Sequence, residues 1–316
     1  MIIGIHLIIV SCVLVIARFS GIFLRFFPIL EYNDDMTILY GKPVSDRILA
    51  DLKEKISRGE SVPGLAVILV GQDKASKIYV GLKERRANEI GVDFSLFRFP
   101  ADATEDGIIL KIRELNGDRT INGIIVQVPL PKKFDTQRII DEISPEKDVD
   151  GFHPENIERF QEEGDVFWPV FPKAIVTLLE SAGEDLAGKN AVVVANSEKF
   201  GQVMRTALQR KGVRTEYVLF ENVTAEVERI RKADIVVTAV GEPGIIHGDM
   251  IKKGAIIIDG GIVENENKVL GDVDFESVKE IATYVSPVPG GVGPVTIACL
   301  LENVYMAFEK QVEKNI

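Results

Sequence analysis

Short apolar runs alternate with helical patterns along most of this chain. Runs rich in β-branched and aromatic residues predict strands at 65–70, 94–99, 123–128, 191–195, 215–220, 234–240 and 255–260. Amphipathic stretches that end at glycine lie between them, as helix C-termini often do. Strands that alternate with helices are typical of a parallel sheet with crossover helices. The pattern therefore predicts an α/β fold of two α/β lobes with a cleft between them, the second a Rossmann-like doubly wound parallel sheet.

A turn-rich segment at roughly 150–172 interrupts the alternation and indicates a junction between domains. We expect one domain over 36–158 plus 288–316 and a second over 159–287. The tail from residue 296 predicts one amphipathic helix of about twenty residues. Ligands of open α/β sheets bind at the carboxyl ends of strands, so the loops after 128, 195, 240 and 260 are expected to carry the chemistry.

Residues 1–35 form a hydrophobic leader that fits neither lobe. The stretch 2–17 has no charge, but it is slightly shorter than the ~20 residues that span a bilayer. Two interpretations stay open: translation begins at Met36, or the leader is a membrane anchor that leaves the rest of the chain cytoplasmic. In either case the functional part of the chain begins near Met36.

Charge and cysteine content exclude several function classes. A net charge of −11 argues against nucleic-acid binding, which needs an excess of Lys and Arg. Cys12 and Cys299 lie far apart, and the histidines His6, His153 and His247 are scattered. We therefore expect no metal site and no disulfide framework, which fits a reducing compartment.

The segment 76–86 carries the first candidate chemistry. Ser76 is expected to cap a helix on which Tyr79 and Lys83 share one face. Lys83 is either a solvated surface lysine or a partly desolvated base that transfers protons near neutral pH. Gln127 ends an apolar run, where its amide bonds either neighbouring backbone or Lys83 or a substrate.

Two turn-rich segments add further candidates. The segment 145–154 contains Lys147 and Asp148, which we interpret as a charged surface turn, and Asp150, which could accept hydrogen bonds in the cleft. The segment 286–296 has three prolines and three glycines before the last predicted helix. Glycines there let the main chain approach a ligand closely.

These segments together resemble one known family. In order they read Tyr-Val-x-x-Lys (79–83), Val-Gln-x-Pro-Leu-Pro (126–131), Lys-Asp-Val-Asp-Gly-Phe-His-Pro (147–154) and Pro-Val-Pro-Gly-Gly-Val-Gly-Pro (287–294). From about Met36 to the end, the chain resembles the bifunctional methylenetetrahydrofolate dehydrogenase/methenyltetrahydrofolate cyclohydrolase family. The resemblance implies that Tyr79 stacks on the folate and that Lys83 is the catalytic base and acid. It further implies that Gln127 tunes Lys83, that Asp150 anchors the pterin, and that the loop 287–294, with Pro289, Gly290 and Gly291, lines the folate site.

The resemblance also implies a function. It predicts hydrolysis of 5,10-methenyltetrahydrofolate to 10-formyltetrahydrofolate and NAD(P)-dependent oxidation of 5,10-methylenetetrahydrofolate, in one-carbon metabolism and purine biosynthesis. The domain 36–158 plus 288–316 would then bind folate, and 159–287 would bind NADP, with NAD also possible. A cytoplasmic homodimer joined through the nucleotide lobes is expected, with no membrane contact except through the leader.

The nucleotide lobe departs from the family pattern. Where the family has Gly-Arg-Ser-x-x-Val-Gly-x-Pro, residues 195–203 read Ala-Asn-Ser-Glu-Lys-Phe-Gly-Gln-Val, so Asn196 replaces an arginine that would pair with the 2′-phosphate of NADP. Lys199 could substitute, although Glu198 beside it opposes an anion. Phe171 and Gly260 replace the Thr of Pro-Cys-Thr-Pro and the Val of Asp-Val-Gly-Ile.

The residues expected to bind the cofactor are Asn196, Ser197, Gly201, Val240, Gly241 and Ile262. Weaker NADP binding, a switch toward NAD, and a cyclohydrolase with lost dehydrogenase activity all remain open. A different two-lobed oxidoreductase and a non-catalytic folate-binding relative are the rival hypotheses. Joint retention of Tyr79, Lys83, Gln127 and Asp150 argues against the second rival, because binding alone does not need the pair of Lys83 and Gln127.

Overall fold

A computed structural model describes residues 36–162, 164, 166–265 and 268–313. The leader at 1–35, with both interpretations attached to it, lies outside these residues. Within the part of the chain that the structure describes, no helix is long and apolar enough to cross a membrane.

The first half of the chain builds the smaller parallel sheet with its helices and contributes one strand, β1, to the larger sheet. Its elements are β1 (Thr37–Ile38), α1 (Gly41–Ser57), β2 (Gly64–Val70), α2 (Lys74–Ile90), β3 (Asp93–Phe99), α3 (Glu105–Gly117), β4 (Gly123–Val126), α4 (Thr136–Ile140) and α5 (Pro154–Gln161). The strand order is β3-β2-β4, with all pairs parallel. Every residue of β2 is buried, which is why the run reads as continuously apolar.

The second half builds the larger sheet. Its elements are α6 (Val170–Glu180), β5 (Asn190–Ala195), α7 (Glu198–Gln209), β6 (Arg214–Leu219), α8 (Val227–Ile230), β7 (Ile235–Ala239), β8 (Ile256–Asp259), β9 (Val263–Asn265), β10 (Lys268–Leu270), α9 (Phe275–Val278), β11 (Tyr284–Val285) and α10 (Val292–Glu313). The strand order is β1-β11-β8-β7-β5-β6, again with parallel pairs. The chain steps from β5 outward to β6 and then back across β5 to β7. The crevice beside β5 and β7 is therefore the topological switch point, where such sheets bind ligands.

Helix α10 connects the two halves. It packs against α1, which belongs with the smaller sheet, and against α6, which belongs with the larger one. Its buried side chains, among them Val295, Leu301 and Val304, join a core cluster that contains residues of both sheets. The last helix thereby fixes the smaller sheet against the larger one.

The predicted strands agree with the observed ones to within one or two residues at each end, but some local predictions were wrong. Asp73, not Ser76, caps α2: the Asp73 carboxylate accepts from the Ser76 backbone N–H at 2.7 Å. An aspartate three positions earlier can reach that N–H, whereas Ser76 already lies inside the first turn. Helix α10 begins at Val292, so Gly293 and Pro294 lie in its first turn and not in the preceding loop.

Candidate functional site

A lysine and a glutamine meet at the carboxyl end of the smaller sheet. Helix α2 presents Lys83 toward the residue after β4, and Lys83 Nζ donates to Gln127 Oε1 at 2.9 Å. The other end of the amide donates from Nε2 to the carbonyl of Val128 at 2.6 Å. The two alternatives considered for Gln127, backbone and Lys83, are thus both present. An amide held at both ends keeps its oxygen pointed at the ammonium group.

Asp150 is the charged partner of this pair. Burial lowers the pKa of Lys83 below its usual range, and the charge of Asp150 opposes that effect. Burial likewise raises the pKa of Asp150 to about 6; the charge of Lys83 lowers it and that of Asp148 raises it. Tyr79, one turn before Lys83, is half-buried, and burial raises its pKa. The structure thus brings the four predicted residues of the folate lobe to one end of the sheet.

Asp148 shapes the turn that carries Asp150. Its carboxylate accepts hydrogen bonds from the backbone N–H groups of Gly151, Phe152 and His153 at 3.2, 3.3 and 2.8 Å, and from the side chain of Asn156 at 2.9 Å. The side chain is 1% exposed. The interpretation of Asp148 as part of a charged surface turn was therefore wrong. An aspartate often bonds the backbone a few residues ahead, and that habit is the signal that could have identified it.

Lys147 is also buried, which corrects the same prediction. It is 7% exposed, and Nζ donates to the carbonyls of Leu115 and Asp118 at 3.0 and 2.7 Å. The ammonium group therefore caps the carboxyl end of α3, where orphan carbonyls and the helix dipole favour a cation. Burial lowers the pKa of Lys147.

Asn303 fixes the other side of the Asp150 turn. It is fully buried on α10 and donates to the carbonyls of Val149 and Trp168 at 2.8 and 3.0 Å. Its oxygen accepts from Lys173 Nζ at 2.9 Å. Sequence reasoning missed this residue. The available signal was an asparagine on the apolar side of a mostly apolar helix, because a buried amide needs partners.

The loop before α10 is held against the start of α1. Gly290 has φ 110°, a conformation that favours glycine. Its carbonyl accepts from the N–H of Gly41 at 2.8 Å, and a Cβ on Gly41 would lie 1.8 Å from the Gly291 carbonyl oxygen. The main chain of Pro289, Gly290 and Gly291 is therefore held in place by close contact with the start of α1.

The residues predicted to bind the cofactor lie at the carboxyl ends of three adjacent strands. Asn196 and Ser197 follow β5 and are exposed, and Ser197 caps α7 by accepting from the N–H of Phe200 at 3.4 Å. Gly201 has a packing role, since a Cβ there would lie 2.7 Å from Cδ2 of Tyr217 on β6. Val240 and Gly241 follow β7, and Ile262 follows β8, half of its surface being exposed.

A buried carboxylate organises the loop after β7. Asp272 accepts from the N–H groups of Val240, Gly241 and Glu242 at 2.7, 2.8 and 2.9 Å, and from the hydroxyl of Thr238 at 2.7 Å. These N–H groups are therefore engaged within the protein and shape the loop. The first turn of α7, by contrast, begins at the carboxyl end of β5, and the first N–H groups of a helix have no intrahelical acceptor. The sequence did not single out Asp272.

Asp259 supports the same arrangement from the end of β8. Its carboxylate accepts from the N–H groups of Gly261, Asp272 and Val273 at 2.9, 3.1 and 3.0 Å. Burial raises the pKa of Asp259 to about 6. Gly261 has to be glycine here, since a Cβ would lie 2.0 Å from the Asp272 carboxylate.

Three departures from the family pattern pack together. The ring centroids of Phe171 and Phe200 lie 5.6 Å apart. A Cβ on Gly260 would lie 2.9 Å from Cζ of Phe171. The small residue at 260 therefore leaves the room that the large ring at 171 occupies. Substitutions that are far apart in sequence form one repacked cluster at the edge of the nucleotide crevice.

Comparison with known proteins identifies the family. Residues 39–150 match the model of the tetrahydrofolate dehydrogenase/cyclohydrolase catalytic domain, and residues 169–312 match that of its NAD(P)-binding domain. A bifunctional methylenetetrahydrofolate dehydrogenase/cyclohydrolase from Campylobacter jejuni is 37% identical, with a TM-score of 0.83 over 87% of this chain and 99% of that one. The chain belongs to the tetrahydrofolate dehydrogenase/cyclohydrolase family.

Two further relatives of this family have similar structures. The Trypanosoma brucei enzyme, solved with NADP and an inhibitor, is 32% identical, with a TM-score of 0.83 over 88% of this chain and 98% of that one. The bifunctional enzyme of Thermoplasma acidophilum is 31% identical, with a TM-score of 0.83 over 88% of this chain and all of that one. The predicted α/β fold, bifunctional folate activity and NAD(P) cofactor are thereby confirmed. The cyclohydrolase-only alternative is not favoured.

The nucleotide lobe of this family member fits a dinucleotide. A helix begins directly after β5, and Gly201 lets α7 approach β6 closely, as the last glycine of a dinucleotide fingerprint does. The side chains of Asn196 and Ser197 are exposed at the crevice, and Gly241 adopts φ 86° beside them. Ala195 stands where the family pattern has its first glycine. It is the last residue of β5 and is fully buried, so its methyl group does not fill the crevice.

Proposed function

We propose that Lys83 is the general base and general acid of the cyclohydrolase reaction, positioned by Gln127. The observation that carries this proposal is the 2.9 Å hydrogen bond from Lys83 Nζ to Gln127 Oε1 in a half-buried site. Burial lowers the pKa of Lys83, and a larger fraction of the amine is then neutral and able to accept a proton. The charge of Asp150 limits this lowering of the Lys83 pKa, so the ammonium form stays accessible for donating the proton back to the folate.

One amine in this position can serve both halves of the hydrolysis. Water attacks the methenyl carbon while the neutral Lys83 amine takes one of its protons, which gives a neutral tetrahedral adduct. The ammonium group then returns the proton to ring nitrogen N5 as the carbon–N5 bond breaks. The carbonyl forms, the hydroxyl proton leaves to solvent, and the formyl group stays on N10. General acid–base assistance of this kind contributes typically about 10²–10⁴-fold in rate.

The folate itself is proposed to lie between α2 and the loop before α10. Tyr79 supplies an aromatic face for stacking, and Asp150 accepts hydrogen bonds from the pterin ring. Pro289, Gly290 and Gly291 line the other side, a role supported by their fixed main chain. Residues 36–158 plus 288–316 are the proposed folate-binding domain, although β1 pairs with β11 of the larger sheet.

The dinucleotide is proposed to bind along the carboxyl ends of β5, β7 and β8, in the domain 159–287. Its contacts would be Asn196, Ser197, Gly201, Val240, Gly241 and Ile262. NAD(P) supplies a hydride acceptor for the methylene carbon, with no obligatory protein base. The protein contributes the orientation of the two ligands, through the Asp272-shaped loop and the turn held by Asp148.

We further propose a cytoplasmic homodimer joined through the nucleotide lobes. The observation that supports the dimer is the hairpin of β9 and β10, where Val269 and Leu270 are 37% and 36% exposed. Successive residues of a strand point to opposite faces, so the hairpin exposes apolar surface on both faces, and exposed apolar surface marks candidate interaction sites.

Replacement of Lys83 by methionine tests the proposed role. Methionine keeps the length and apolar stem of the side chain but cannot transfer a proton. We expect methenyltetrahydrofolate hydrolysis, followed by absorbance, to fall by about 10²-fold or more, while methylenetetrahydrofolate oxidation persists. Lys77→Met is the matched control, since Lys77 lies on the same helix but is exposed and bonds Gln72. Hydrolysis at the wild-type rate in Lys83→Met would contradict the proposal.

A further inference from the structure

A glutamate lies at the place in the nucleotide lobe that reads the adenosine ribose in doubly wound folds. Strands β5 and β6 are parallel, and Ala195 pairs with Leu219 at their carboxyl ends. The loops that follow the two strands therefore leave the sheet side by side. Glu221 lies two residues beyond Leu219, in the short 3₁₀ turn at Phe220–Asn222, and is exposed.

The chemistry at this place separates NAD from NADP. In such folds an acidic residue about twenty positions after the glycine-rich turn accepts hydrogen bonds from the ribose 2′-hydroxyl of NAD, whereas a nearby arginine accommodates the 2′-phosphate of NADP. Glu221 follows Gly201 by about that interval. The neighbouring loop offers the neutral Asn196, and Glu198 adds a second negative charge in the first turn of α7.

The cations on α7 are engaged elsewhere. Lys199 Nζ donates to Gln137 Oε1 at 3.0 Å, so its ammonium group is directed toward α4 of the folate lobe. The guanidinium of Arg205 lies over the ring of Tyr217, 5.7 Å from its centroid. Among the described residues, Glu221 itself makes no ion pair. The electrostatic environment at the end of β6 is therefore anionic, which disfavours a phosphate and suits a pair of hydroxyl donors.

We propose that Glu221 selects NAD over NADP by accepting hydrogen bonds from the adenosine ribose hydroxyls and repelling a 2′-phosphate. This inference rests on the dinucleotide lying along the carboxyl ends of β5 and β7, as proposed above. It assigns the preference between NAD and NADP to the exposed side chain of Glu221 and to the neutral Asn196 in the neighbouring loop.

Equilibrium binding of the two dinucleotides to the full chain is the direct test, since calorimetric titration needs no turnover. We expect NAD to bind about 10- to 100-fold more tightly than NADP, which is the range expected for one charge-assisted hydrogen bond. Glu221→Ser should reduce the ratio, and Asn196→Arg combined with Glu221→Ser should reverse it. The ratio of kcat/KM for methylenetetrahydrofolate oxidation should follow the binding ratio.

Glu216→Ser is the matched control. Glu216 lies on β6, before the carboxyl end of the strand, and is exposed, but it pairs with Arg229. The NAD to NADP ratio should not change in this variant. Retained methenyltetrahydrofolate hydrolysis shows that each variant is folded.

The possible failures are distinguishable. Tighter or equal binding of NADP, or a ratio that Glu221→Ser leaves unchanged, would overturn this inference and leave the placement of the dinucleotide intact. Binding of neither dinucleotide to a chain that still hydrolyses methenyltetrahydrofolate would overturn both. Neither result bears on the role of Lys83.

Discussion

The contact between Gly260 and Phe171 predicts a coupled pair of substitutions in the nucleotide lobe. A Cβ on Gly260 would lie 2.9 Å from Cζ of Phe171 and 3.0 Å from the carbonyl oxygen of Thr238. Gly260→Val should therefore force the ring aside, at a cost typical of overpacking, about 1–3 kcal/mol. Phe171→Thr should cost about 2 kcal/mol, roughly half the loss for a fully buried Phe, because the ring is half-buried.

The double variant should be more stable than the sum of the single effects indicates. Threonine at 171 removes the ring, and the valine at 260 then fills part of the vacated space. The close contact between the new Cβ at 260 and the carbonyl oxygen of Thr238 remains in the double variant. We expect a favourable coupling of about 1–2 kcal/mol, within the range measured for residues in contact. At urea m-values of about 1–3 kcal/mol/M, each kcal/mol shifts the unfolding midpoint by roughly 0.3–1 M, so the coupling is measurable.

The assay is equilibrium unfolding in urea of the wild type, both single variants and the double variant. Gly81→Val is the control for adding the same side chain without a clash, since nothing lies within 4 Å of a Cβ there. It should change stability by no more than about 0.5 kcal/mol. If the two single effects simply add in the double variant, the cluster of Phe171, Phe200 and Gly260 is not one coupled change, and the reasoning is wrong.

Two other predictions concern the folate turn and the subunit interface. Asp148→Ala leaves three backbone N–H groups of the Asp150 turn unpaired, so thermal unfolding should show a loss of stability of about 3 kcal/mol or more. The KM for folate should rise in both activities. An unchanged KM would contradict the positioning role. Leu270→Glu should convert a dimer to a monomer in light scattering, whereas Leu110→Glu, 69% exposed on α3, should not; a wild-type monomer would exclude the proposed dimer.

Local patterns were sufficient for much of this fold. The longer strands of both sheets were predictable, most clearly the central ones, because a buried parallel strand is a continuous apolar run bounded by turn residues. The two-residue strands β1 and β11 and the hairpin of β9 and β10 were missed. Such short segments carry no periodicity of their own and exist only through pairing with a neighbouring strand.

The candidate site divides in the same way. Tyr79, Lys83, Gln127 and Asp150 could be named as candidates from residue type and spacing, and their proposed roles came from the resemblance to the family. The sequence could not show that Asp148 is buried beneath the Asp150 turn.

Contacts between residues far apart in sequence were decided by the tertiary structure alone. Asn303 joins Val149 to Trp168, Asp272 gathers the N–H groups after β7, and Phe171 fills the space beside Gly260. The sequence by itself determined the longer elements, the family and the residues proposed to carry the chemistry. Which polar groups are desolvated, and which substitutions compensate one another, depended on packing in three dimensions, because burial and contact are properties of the folded chain and not of its local pattern.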